Sequence, residues 1–155
     1  IHTCWGNPNM QRVIDDDSYA ASLDMYMTQA RGDVRALETK DRDFRELELL
    51  APYMKDPRGK KGCIGVVSHR RLQVETPEEV AGTIRRALKH IPPEKLIVST
   101  DCGFGRQGCN RDIAFFKSVS IAVGTNIVRK ELGLPTTYVP AADPALQTDL
   151  VPDQP

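Results

Sequence analysis

Short β-branched or apolar runs alternate along this chain with longer segments of helical spacing, and that alternation restricts the fold more than any other feature. Strand-like runs occupy residues 1–5, 34–38, 63–67 and 96–99, the last read as a short buried strand. Each is followed by a helical pattern. Residues 19–30 place Ala20, Leu23, Tyr26 and Met27 on one face, and a helix capped by Asp43 would bury Phe44, Leu47, Leu50 and Ala51. Residues 76–91 carry Val80, Ile84, Ala87, Leu88 and Ile91 at helical spacing, and residues 112–132 read as one long helix. Strand and helix in strict alternation predict a parallel sheet joined by right-handed crossovers. A closed eight-stranded barrel takes about 250 residues, and the 155 residues here have room for about half of one. The order therefore predicts either an open α/β sheet or the C-terminal portion of a barrel.

Local signals punctuate the pattern. Residues 6–9 have turn chemistry, Asp15, Asp16, Asp17 and Ser18 offer helix N-caps, and Gly32 closes the helix that follows. Thr76-Pro77-Glu78-Glu79 is a capping box with proline at the first helical position, and Pro92-Pro93 stops that helix. Residues 52–62 form a basic loop containing Pro and Gly. Beyond Gly133 prolines recur and periodicity is lost, which divides the chain into a folded part, 1–133, and an irregular Pro-rich tail, 134–155. The chain opens on Ile1 in what reads as the end of a strand, so we expect it to begin within a larger unit.

The chemistry gathers where strands end. Past the successive strand-like runs come His2 and Cys4, then Glu38, then Ser68 and His69, then Asp101 and Cys102, the last pair opening a loop with Gly103, Gly105 and Gly108. In a parallel sheet these points share one rim, so residues far apart in sequence converge. Imidazole, thiolate and carboxylate are ligand types that zinc accepts, and residues two apart on an extended segment point to the same side. Cys102 is read as a zinc ligand on this basis. Blander roles stand beside these. Cys4 and Cys102 could be small buried hydrophobes, Cys63 opens a buried strand and is read as packing, and Cys109 is read as having no ligand role. Glu38 could pair with Arg42 or Lys40 at the surface. His69, beside Arg70 and Arg71, could belong to a solvated basic face or to an anion site, His90 could serve a helix dipole, and Trp5 could be core or a wall of the site.

Composition limits the partners. Lys plus Arg and Asp plus Glu are 21 each, which gives no basic excess for nucleic acid or anionic membranes. No apolar run approaches the roughly 18 residues of a membrane span. The four cysteines, with no export pattern, read as reduced thiols of a cytoplasmic protein.

His2-Thr3-Cys4-Trp5-Gly6-Asn7, Leu37-Glu38-Thr39-Lys40-Asp41-Arg42-Asp43 with Glu48-Leu49-Leu50, Gly65-Val66-Val67-Ser68-His69, and Asp101-Cys102-Gly103 together resemble the C-terminal catalytic barrel of cobalamin-independent methionine synthase, in its short bacterial-type form. The resemblance runs from residue 1 to about 133 and implies the C-terminal half of a TIM-type (βα)8 barrel. It implies catalytic zinc held by His2, Cys4, Glu38 and Cys102, with Glu38 giving way to the substrate thiol. It implies methyl transfer from a 5-methyltetrahydrofolate-type donor to homocysteine, with His69, offset by about one position, as proton donor and Asp101 as an orienting group. It also implies a missing N-terminal half-barrel, in the same or a partner chain. The loop at residues 103–109 departs from the family's Lys-Thr-Arg-type run. Two alternatives therefore accompany the reading. One is alkyl transfer from a non-folate donor, such as an epoxide, to a thiol such as coenzyme M. The other is an inactive zinc-binding half-barrel that needs an N-terminal partner.

Overall fold

The structure, a computed structural model, describes residues 1–4, 18–56, 58–105 and 108–146. Trp5, the turn at 6–9, the N-caps Asp15, Asp16 and Asp17, Arg106, Gln107 and the tail beyond 146 lie outside the described residues.

Strands β1 (His2–Thr3), β2 (Val34–Leu37), β3 (Lys61–Val67) and β4 (Leu96–Thr100) form one sheet in sequential order, with every pair parallel. The helices α1 (Ala20–Asp24), α2 (Leu47–Leu50), α3 (Pro77–Ala87) and α4 (Arg111–Glu131) alternate with them. This is an α/β architecture consistent with part of a TIM-type barrel, as the alternation predicts. The core gathers Leu37, Ile64, Val66 and Val67 from the sheet with Leu23, Met27, Leu47, Leu50, Val80, Ile84 and Val128 from the helical layer. β3 is buried at six of its seven positions, because it has a strand on either side.

Three local expectations are corrected. The run at 96–99, expected to be a buried strand, lies in β4, which is half-buried at all five positions and, among the described residues, is an edge strand beside β3. Asp43 caps no helix: Asp43 and Phe44 have left-handed φ of 53° and 57°, and α2 starts only at Leu47. Tertiary contacts impose that turn. The Phe44 N–H donates to Thr39 O at 3.0 Å, and Arg86 lies over the Phe44 ring while donating to Asp43 O at 2.9 Å. Ala20 is exposed, while Leu23 and Met27 of the same helical stretch are buried. That stretch ends in a π-helical turn, Met25–Gln29, and carbonyls of this turn and of the bend that follows it find an unexpected partner in buried Arg35. Its guanidinium donates to Tyr26 O at 2.6 Å, Gly32 O at 3.1 Å and Ala30 O.

The Thr76–Glu79 capping box forms as expected. Thr76 Oγ1 accepts from Glu79 N at 3.2 Å, and Glu79 Oε2 accepts from Thr76 N at 2.7 Å. α4 starts at the N-cap Asn110 and crosses α3 at Gly124, where a Cβ would lie 2.6 Å from Pro77 O and 2.7 Å from Val80 Cβ. Gly124→Ala is expected to destabilise the fold by about 1–3 kcal/mol through overpacking, although alanine favours helix over glycine by about 1 kcal/mol. A urea midpoint at or above that of the parent would contradict this packing.

Candidate metal centre

The carboxyl ends of the strands bring three ligand-type residues together. β1 ends at Thr3, so His2 and Cys4 straddle it on one side of the extended backbone, and Cys102 lies two residues past β4. One ligand atom from each of His2, Cys4 and Cys102 falls in a group whose members all lie within 4.8 Å of one another. Zinc bonds of about 2.0–2.3 Å place tetrahedral ligand atoms about 3.3–3.8 Å apart; this nitrogen and two sulfurs suit zinc in chemistry and lie close enough together for one ion to gather them. Partial desolvation of the His2 ring lowers its pKa, opposed by the charge of Glu38. This favours the neutral imidazole that a metal requires.

Glu38 stands next to this group, in a second one. Its carboxylate and those of Asp41 and Asp101 lie with the His69 imidazole in a set whose ligand atoms are within 4.8 Å of one another. The surface pairing considered for Glu38 is corrected: the residue is fully buried, with Oε1 3.4 Å from Arg70 Nη2 and 3.9 Å from Arg42 Nε. Lys40 instead lies over the Phe44 ring. The solvated face considered for His69 is corrected too. His69 is 1% exposed, with Nδ1 3.2 Å from Asp41 Oδ2. The four ligands implied by the resemblance thus fall as a trio and one adjoining carboxylate.

Asp101 sits between these elements. Its Oδ1 accepts from the N–H groups of Thr39 at 2.7 Å and Lys40 at 2.8 Å, and its Oδ2 from Asp41 N at 2.7 Å. Burial pushes the carboxyl up to about 7, opposed by these three donors and helped by the Asp41 carboxylate. To make these bonds from β4 the side chain crosses β3 at Gly65, where a Cβ would lie 1.8 Å from Asp101 Oδ1 and 2.6 Å from Asp101 Cα. Thr39 Oγ1 also donates to Gly65 O at 2.7 Å. The loop carrying Glu38 is therefore tied across an intervening strand to the residue preceding Cys102.

The Tyr19 hydroxyl, 3.1 Å from Thr3 O, connects the first helix to the same rim, and burial with the Glu38 charge raises its pKa. Cys63 is buried in β3 and burial raises its thiol pKa, in keeping with packing. Cys109 belongs to neither ligand group and has Sγ 3.8 Å from Asn110 O. Gly65 and Asp41 lie within the motifs that carry the resemblance, with no role assigned from the sequence, and Glu75 and Lys117 lie in none. A glycine inside a strand is a recognisable sign of close approach, whereas nothing local marks Asp41 or Glu75.

Comparison with known proteins bears on the family of the chain. The family profile described as "Cobalamin-independent synthase, Catalytic domain" matches residues 9–123. The methionine synthase of Thermococcus kodakarensis is 40% identical over 132 residues, covering 85% of this chain and 34% of that protein. That of Saccharolobus solfataricus is 36% identical over 132 residues, covering 85% and 35%. This chain therefore spans about a third of the length of the curated relatives it matches. A solved B12-independent methionine synthase from Shewanella sp. W3-18-1, in complex with selenomethionine, superposes with a TM-score of 0.58 at 32% identity, covering 67% of this chain and 28% of the other. A sequential parallel sheet, a rim where His2, Cys4 and Cys102 meet, and a profile match over most of the chain lead to one assignment: the chain belongs to the cobalamin-independent synthase catalytic-domain family.

Proposed function

We propose that residues 1–133 are the zinc-binding C-terminal half of a barrel methyltransferase. The reaction proposed is transfer of a methyl group from a 5-methyltetrahydrofolate-type donor to a small thiol of the homocysteine type. The observation that carries this reading is the meeting of His2, Cys4 and Cys102 within 4.8 Å in a chain of this family. Glu38 adjoins them as the fourth donor. When bound, zinc lowers the pKa of the acceptor thiol, which otherwise stays largely protonated at neutral pH with a pKa of about 8.5. Cys4, Cys102 and Glu38 supply three negative charges against the ion's two, leaving the thiol sulfur electron-rich. In the transfer the S–CH3 bond forms as the N5–CH3 bond breaks, the thiol gives up its proton, and N5 of the folate takes one. In this reading His69, buried beside Asp41, gives that proton.

Arg42 and Arg70 offset the charge of Glu38 where it adjoins the trio. The matched relatives are about three times as long, and β4 has an open edge, which together support an N-terminal half-barrel as the missing partner. No helix among the described residues is long and apolar enough to cross a membrane, and the reading places the enzyme in the cytoplasm. The test is made on the full-length protein. It is expected to hold about one zinc per chain, with sulfur, nitrogen and oxygen ligands by X-ray absorption, and to convert homocysteine to methionine with methyl-folate. Absence of stoichiometric zinc would overturn the reading. Turnover only with a non-folate alkyl donor would move the enzyme to alkyl transfer onto another thiol.

A further inference from the structure

The stripe that α4 buries carries Ser120, Gly124, Val128 and one charged residue, Lys117, which is 0% exposed. Its Nζ donates to Gln73 O at 2.7 Å and to Glu75 Oε2 at 2.6 Å. The other oxygen of that carboxylate, Oε1, accepts the Ser68 N–H at 2.7 Å, one residue before His69. Ser68 Oγ in turn accepts from the N–H groups of Arg70 and Arg71, both at 3.0 Å, and Arg70 Nη2 reaches Glu38 Oε1 at 3.4 Å. A continuous chain of polar contacts thus runs from the middle of α4, through the loop that carries His69, to the carboxylate beside the metal trio.

A buried ammonium–carboxylate pair is a weak source of net stability compared with apolar residues of the same volume. An apolar residue at 117 would extend the stripe as well, but it could not hold Glu75 with one oxygen on Ser68. We infer that Lys117 and Glu75 are positioning residues: they fix the turn at residues 68–71 so that Arg70 sets the Glu38 carboxylate beside a divalent metal. The inference rests on the zinc reading above and adds a role for two residues that touch neither metal nor substrate.

The test compares zinc affinity, by competition with a chromophoric chelator, and the visible absorption of the cobalt(II) form, in full-length parent, Glu75→Gln, Arg70→Gln and the double variant. Glu75→Gln keeps the side-chain shape and the acceptor for Ser68 but loses the ion pair with Lys117. Supporting groups around metal ligands are worth about 10–100-fold in affinity. Glu75→Gln is expected to weaken zinc by at least about tenfold and to shift the cobalt(II) bands as an oxygen ligand is lost. Arg70→Gln, at the half-buried end of the chain, is expected to do the same, and the double variant to bind no more weakly than the worse single, because both cut one path. Lys117→Arg, which keeps a cationic donor in place, is expected to retain more affinity than Lys117→Met and is read on the same scale should Glu75→Gln fail to fold. Folded Glu75→Gln with parental affinity and spectrum, effects that multiply in the double variant, or Lys117→Arg no better than Lys117→Met would each overturn the inference. A parent protein that binds no zinc would instead fail at the earlier reading and take this one with it.

Discussion

Replacing Gly65 by alanine is expected to cost the fold about 3–6 kcal/mol, a large effect for a single added methyl. The new Cβ would lie 1.8 Å from Asp101 Oδ1 and 2.6 Å from Asp101 Cα, so rotating a side chain relieves only the first clash. Either β3 and β4 separate locally or the carboxylate leaves the three N–H groups of residues 39–41. Overpacking of this kind costs about 1–3 kcal/mol, and losing charge-assisted hydrogen bonds costs about 1.5–3 kcal/mol each. For a domain of this size the melting temperature should fall by about 10–20 °C. A Gly65→Ala protein that melts within about 2 °C of the parent would show that Asp101 does not cross the sheet at that point.

Cys102→Ser is expected to weaken zinc binding by about 100- to 1,000-fold. Zinc sites of four ligands are worth about 10–16 kcal/mol, so one ligand carries about 3–4 kcal/mol, and a neutral serine hydroxyl is a poor replacement for a thiolate. Cys109→Ser is the control. It removes a thiol seven residues away in sequence that belongs to neither ligand group, and it should leave affinity unchanged. The measurement is chelator competition on the full-length protein. Equal losses for the two variants would remove Cys102 from the metal centre.

Much of this architecture is legible in the sequence because its causes are local. The Thr76–Glu79 capping box is contained in four residues, and β3 is recognisable from its own apolar run. The approach of His2, Cys4 and Cys102 follows from two general facts, the alternation of side chains along a strand and the shared rim of a parallel sheet. What escaped the sequence depends on partners far along the chain. Asp43 looks like a helix cap, yet Arg86, 43 residues on, grips its carbonyl in a turn that lies in the left-handed region. His69 reads as one of three exposed cations, yet Glu75 pulls its loop inward and Lys117, 42 residues beyond Glu75, holds Glu75. The half-buried state of β4 goes with its place at the edge of the sheet among the described residues, which its own five residues cannot encode.

The tie made by Asp101 has a consequence for how this rim could diversify. Its grip is on main-chain amides, which every residue but proline possesses, so positions 40 and 41 can exchange their side chains without loosening it. Thr39 is less replaceable, since its hydroxyl is spent on Gly65. This end of the sheet is thus a frame of constant shape with interchangeable fittings, on which a lineage could remodel the side chains presented while the spacing between the segments that carry Glu38 and Cys102 stays fixed.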